Sequence, residues 1–294
     1  MTGNLSGRVI DRLLFIPAIF SAGLLVVMVL TFIGKSKLIL STRSLTDIIL
    51  SSSWKPGAGN FGFYPFIMGT IWVTVLTMIL AIPVSLLSAI YLSDYAPARI
   101  RGMIQPVIDL LAGIPSVIFG LFGILLIVPL IKYHIAPIFG VTTTGYCVLA
   151  GGLVLAIMVF PILISITFEV FSSVPLEMRE AALSLGATRW ETVKHVVIRK
   201  GSPGVFAAII LGFSRAFGET MAVLMVVGNV PRAPSSVFDP AYPIPALIAN
   251  NYGEMMSIPL IDSALMFAAL LLLVIVVIFN ILAKSVLIKI KAVG

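Results

Sequence analysis

The chain has 294 residues, 60% of them hydrophobic and only 11% charged, with a mean hydropathy of +1.15. A soluble domain carries about 25% charged residues, so this composition cannot build a polar skin; a soluble enzyme, a secreted domain and a disordered chain are all excluded. The net charge of +7 comes without a Lys/Arg cluster interleaved with aromatics, which points away from nucleic acid and towards the basic inner loops of a membrane protein.

A membrane helix needs about 20 mainly apolar residues to cross a core of ~30 Å. Six stretches qualify: 13–33, 66–92, 104–129, 146–168, 205–227 and 263–283. The first is longer than the roughly 7–15-residue apolar region of a secretory signal. No small-residue cleavage site follows it, so it reads as a retained anchor. Lys and Arg set the orientation. With the N-terminus inside, twelve fall on the inner side: Arg8, Arg12, Arg99, Arg101, Arg179, Arg189, Lys194, Arg199, Lys200, Lys284, Lys289 and Lys291. Six fall outside: Lys35, Lys37, Arg43, Lys55, Lys132 and Arg232. Both termini are therefore expected in the cytoplasm.

The outer loop at about 130–145 is short and nearly uncharged. The last outer loop, at about 228–262, holds Pro231, Pro234, Pro240, Pro243, Pro245 and Pro259 and is expected to be stiff and irregular. The inner loop at about 169–203 carries nine Asp, Glu, Lys or Arg residues and is the most charged stretch of the chain.

Several patterns lead nowhere. Gly57-Ala58-Gly59-Asn60-Phe61-Gly62 fits G-x-G-x-x-G but follows no strand and opens no βαβ unit. Gly34-Lys35-Ser36 resembles the end of a phosphate-cradling loop, but Val29 occupies the place of the required first glycine. Cys147 is the lone cysteine, which excludes an internal disulfide, and neither it nor His134 or His195 has partners at metal-ligand spacing. No cofactor, metal or catalytic residue is expected.

Two stretches carry information. In the charged inner loop Pro175 can open a helix, and Glu177 and Glu180 suit its positive end. Ala181, Ala182 and Leu185 make a small apolar face, and Gly186 permits a left-handed turn. A second helix from about Arg189 presents Val193, Val196 and Val197. Two short amphipathic helices joined at a glycine form a knob; the alternative is a pair lying flat on lipid headgroups. In the fifth stretch, Arg215 sits near the middle of an apolar run, where a charge costs ~2.5–3.5 kcal/mol on insertion scales. Glu219, four residues on, falls on the same helical face and can pair with it. Gly204, Ala208, Gly212, Ala216 and Thr220 form a small-residue stripe beside that face, suited to close helix packing. The pair either borders an anion's route or holds helices together. Asp109 in the third stretch reads as structural. Ala112, Ser116 and Gly120 repeat the small stripe, and Pro83, Gly113 and Pro115 mark kinks.

Glu180-Ala181-Ala182, three residues, Gly186, nine residues, then Val196 and Ile198, resembles the EAA loop of ABC importer permeases, whose pattern is EAA-x3-G-x9-I-x-L-P. Arg199 stands where that pattern has proline, and the nearest proline is Pro203. In that family the loop is the coupling helix that docks into a cleft on the ATPase subunit. Gly62-Phe63-Tyr64-Pro65-Phe66, Ala112-Gly113-Ile114-Pro115-Ser116 and Arg215-Ala216-Phe217-Gly218-Glu219-Thr220-Met221 look like segments of the phosphate importers' permeases. The residues from Gly218 to Met225 favour the PstC-type subunit over its PstA-type partner.

The resemblance implies an all-α bundle of six transmembrane helices, an ABC importer type I permease with the MetI-like fold. It implies an anchor helix and outer loop over 1–60, a permease domain over 61–285 with its coupling loop at about 172–203, and a cytoplasmic tail over 286–294. It further implies a plasma-membrane complex with a PstA-type second permease, two copies of an ATPase subunit and an external phosphate-binding protein. Glu180, Ala181, Ala182 and Gly186 become the ATPase coupling residues, and Arg215 and Glu219 border the substrate pathway. Sulfate and molybdate permeases share the loop motif, so another oxyanion is the near alternative. A self-sufficient secondary transporter would show an inverted repeat, and the charged loop occurs once.

Overall fold

The computed structural model describes residues 3–253 and 257–293. Among these described residues, six helices are long and apolar enough to cross a membrane: Phe15–Thr42, Tyr64–Tyr95, Ser116–Ile138, Val148–Ser172, Arg189–Gly218 and Pro259–Ile288. They are called spans one to six below. The number is as expected, but the bounds of the third and fifth spans are not.

The third span starts twelve residues later than the apolar run at 104. Pro115 is extended, with ψ 140°, and its ring keeps Ile114 out of the helical region. The helix before it therefore ends at Ala112, and Ala98–Ala112 forms a separate bridge helix. Asp109 is exposed on that bridge helix rather than inside a span. Ala112 and Ser116 fall on different helices, so their stripe does not form. Gly120 does pack closely: a Cβ there would lie 2.6 Å from the Met225 sulfur. The fifth span differs at both ends. Thr188 and Glu191 form a reciprocal capping box that starts it at Arg189, and it ends at Gly218 instead of running to 227.

The fourth span is the centre of the bundle: Val154, Leu155 and Val159 are fully buried, whereas the first span is exposed over residues 15–28. Lipid is as apolar as leucine, so helices associate in it through close packing and polar contacts rather than hydrophobic transfer. Small residues allow that approach. A Cβ on Gly152 would meet Leu76 at 2.8 Å, and one on Gly204 would meet both Val170 methyls at 2.6 Å. Thr77 on the second span donates to the Gly152 carbonyl at 3.3 Å. The stripe Gly204, Ala208, Gly212, Ala216 packs as its spacing suggests: Ala208 and Ala216 are buried, and a Cβ on Gly212 would touch Leu163 and Met78. Thr220 lies beyond the helix end and takes no part in it.

The first helix runs over Gly3–Thr42 and docks on the sixth-span helix, Pro259–Val293. Ser263 donates to the Lys35 carbonyl at 2.8 Å and accepts from the Ile39 amide at 3.0 Å, so one hydroxyl engages both ends of a single helical step. Lys35 also pairs with Asp262 at 3.1 Å. The side chains of Arg8, Arg12, Lys289 and Lys291 lie outside the described residues. Over its described residues the proline-rich loop is more regular than its composition suggests. It contains a helix over Ile244–Asn251 and folds back so that Ile244 and Leu247 join Phe63, Phe66 and Phe267 in a second core. Thr70 accepts the Ile244 amide at 2.9 Å and ties the loop to the second span.

Candidate functional site

Two places gather the residues singled out above, one at each end of the fifth span. At the first, the chain leaves the fourth span and forms a helix over Leu176–Ser184 that buries none of its residues. Pro175 is its extended N-cap. Glu180 and Ala181 are exposed and Ala182 is half-buried. Leu176, Met178, Leu183 and Leu185 stand out into solvent, Leu185 at 89% exposure. Gly186 takes φ +88°, a left-handed conformation that costs other residues ~1–2 kcal/mol. It reverses the chain into the capping box.

The second arm of the knob is not a separate short helix. From Arg189 it passes through a π turn over Val193–Val197 and continues into the fifth span, because Val193 and Val197 bury against Ala89, Ile90 and Phe171. The knob is thus the end of a rod of thirty residues, about 45 Å long at 1.5 Å per residue.

Arg215 sits in the last turn of that rod. Gly212, one turn earlier, packs at the level of Leu163 and Met78, the middle of the fourth and second spans, so Arg215 lies close to mid-depth. It is exposed, as are Leu211 and Gly218 on the same face. The expected pairing with Glu219 is absent. Glu219 caps the helix end in an extended conformation, ψ 125°, and its Oε1 accepts the Ala222 amide at 3.2 Å. That bond starts a short helix over Met221–Val226 and competes with helix continuation. Glu219 then faces a small recess lined by Thr70, Thr74, Phe217 and Pro243. The two charged residues flank one helix break without touching.

Residues 81–290 match the family described as binding-protein-dependent transport system inner membrane component. The chain belongs to that family. It is 34% identical to the probable phosphate transport system permease protein PstC of Methanocaldococcus jannaschii, over 92% of this chain and 90% of the relative. It is 35% identical to the phosphate transport system permease protein PstC of Haemophilus influenzae, over 83% and 82%. Among solved structures, a chain of a bacterial alginate ABC transporter matches with TM-score 0.65 at 12% identity, covering 96% of each chain. One from the inward-facing MetNI methionine ABC transporter matches with TM-score 0.56 at 17% identity, covering 78% of this chain and 94% of the other. At those identities the likeness is one of fold, an all-α helix bundle.

In this permease the weaker sequence patterns become ordinary structure. Gly57 and Gly59 lie in the turn of a two-stranded hairpin that pairs Trp54 with Phe61, and Ser36 bonds back to the Phe32 carbonyl within a helix. His195 is exposed and contacts the Glu191 carbonyl at 3.1 Å. Asp94 is a residue that sequence reasoning passed over. It closes the second span and pairs with Arg179 of the knob, 85 residues away. A lone Asp at a helix end gives no local signal of such a partner.

Proposed function

We propose that this chain is the translocating permease subunit of an ABC importer for inorganic phosphate, driven by a separate ATPase. The observation that carries the translocating role is Arg215, an exposed guanidinium near mid-depth with no ion-pair partner among the described residues. Such a charge cannot face lipid. Its face must be covered by protein or line an aqueous route, and a second permease subunit of PstA type would do both. Arg215 then offers a fixed positive charge and several donors to a passing oxyanion. Two relatives named as phosphate permeases, similar over most of both chains, support phosphate as that oxyanion.

In this reading the knob is the ATPase coupling element, with Glu180, Ala181, Ala182 and Gly186 at its docking surface. Its exposed leucines suit a partner's apolar cleft, and two ATPase copies would serve the two permease chains. Residues 1–60 form an added anchor and outer loop, 61–285 the permease domain, and 286–294 a tail. The knob and both termini face the cytoplasm, and the loop at 228–262 faces an external phosphate-binding protein. ATP hydrolysis belongs to the partner, and this chain acts by alternating access. The decisive experiment is uptake of labelled phosphate, competed by sulfate, in cells whose only permease of this type contains this chain. Uptake that sulfate suppresses as well as phosphate does would reject the substrate. Capture of the ATPase by the intact chain but not by one lacking residues 178–192 tests the coupling role.

A further inference from the structure

Three segments meet at Asp94, which lies in the π turn Tyr91–Tyr95 closing the second span. Its carboxylate pairs with the Arg179 guanidinium, and the two side chains are only 7% and 15% exposed. Arg179 also donates to the Phe171 carbonyl near the end of the fourth span. On the far side of the Gly186 turn, Arg189 donates to the Asp94 carbonyl at 2.6 Å, and its guanidinium lies 5.1 Å over the Tyr95 ring. One residue therefore holds both arms of the knob.

The knob helix has no buried residue of its own, so apolar packing does not fix where it stands. The Gly186 turn is exposed and a Cβ there would meet nothing within 4 Å, so only its own backbone bonds, from the Gly186 amide to the Leu183 carbonyl and from the Ala187 amide to the Ala182 carbonyl, brace the link between the arms. The polar ties at Asp94 are what join both arms to the second span. A mostly desolvated ion pair resists separation, because pulling it apart strands a charge away from water. We propose that Asp94 is a positioning residue that makes the second span follow the knob when the knob is displaced. The same span carries Thr70 and Thr74 beside Glu219, so displacement at the knob would reach the recess through two helices at once, the second and the fifth. The inference rests on the coupling role of the knob proposed above.

The test uses the assembled complex in proteoliposomes, with Asp94→Asn, Arg179→Gln and the double variant, measuring solute transported per ATP hydrolysed at equal reconstituted amount. Each single change is expected to lower that ratio several-fold while the ATPase still co-purifies. The double variant should be no worse than the more impaired single one, because only one pair is lost. An unchanged ratio in Asp94→Asn, losses that multiply in the double variant, or reduced abundance with a normal ratio would each overturn the proposal. If instead the chain lacking residues 178–192 still captures the ATPase, the coupling role of the knob is what fails.

Discussion

Arg215 and Glu219 stand four residues apart, yet the end of a helix passes between them. Arg215 projects from the last turn onto an exposed face, while Glu219 turns back to cap Met221–Val226. The two are therefore expected to behave differently when changed. Arg215→Ala removes a donor without stranding a partner, so the chain should insert normally. Uptake should fall at least about tenfold, the scale of one charge-assisted hydrogen bond worth ~1.5–3 kcal/mol. Glu219→Gln keeps an oxygen for the Ala222 amide and removes only the negative charge, which would repel fully deprotonated sulfate. It should retain uptake and lose discrimination against sulfate. Comparing abundance, phosphate uptake and sulfate competition in both variants checks this; equal loss of abundance with normal uptake per inserted molecule would make the two residues purely structural.

The turn at Gly186 gives a graded pair of variants. Proline holds φ near −65°, far from the +88° of this turn, so Gly186→Pro should uncouple transport from ATP hydrolysis. Gly186→Ala is strained by only ~1–2 kcal/mol and should lie between it and the wild type. Ala182→Asp places a charge on the docking surface and should act like the proline. The measurement is transport-stimulated ATP hydrolysis at matched membrane abundance; survival of stimulation in both severe variants would reject the docking assignment.

The orientation can be read by thiol labelling. Arg232 is exposed in the proline-rich loop, so Arg232→Cys, with Cys147→Ala to remove the native thiol, should react with a membrane-impermeant reagent in intact cells. Reaction only after the membrane is opened would invert the proposed topology.

The same loop carries a pH-sensitive cap. The Asp239 carboxylate accepts from the Ser235 hydroxyl at 2.7 Å and from the Ser235 and Ser236 amides at 2.9 Å each. The Ser235 bonds, hydroxyl first, hold its pKa below the ordinary carboxylate value. A lowered folded pKa stabilises the folded loop above the unfolded value of about 3.9, and that contribution is lost as pH falls through the folded pKa. Hydrogen exchange of the Ser235 and Ser236 amides should therefore be slow near neutrality and accelerate, relative to neighbouring amides, only below about pH 4. In Asp239→Asn that step should vanish; if it persists, the cap is not its source.

Close packing gives a stability test separate from function. Gly204→Val would drive its side chain into Val170, whose methyls already lie 2.6 Å from a Cβ at that site. Overpacking of this kind costs typically ~1–3 kcal/mol. Abundance in the membrane and thermal stability in detergent should fall, while uptake per inserted molecule stays within about twofold of wild type.

The membrane class, the six apolar runs, the left-handed Gly186 and the small-residue face of the fifth span were legible because each is a local property. The length of an apolar run, the spacing of small residues and a glycine at a helix end all act within a turn or two. Where the helices stop was less so. Pro115 carried a readable signal for the break in the third stretch, but the end at Gly218 depends on Glu219 choosing the Ala222 amide over its neighbour Arg215. Helical periodicity alone cannot register that choice. The ties of Asp94 to Arg179, Lys35 to Asp262, and Thr70 to Ile244 join residues 85 to 227 positions apart. The sequence shows each of these polar residues, but which partner it meets is decided only when the helices pack.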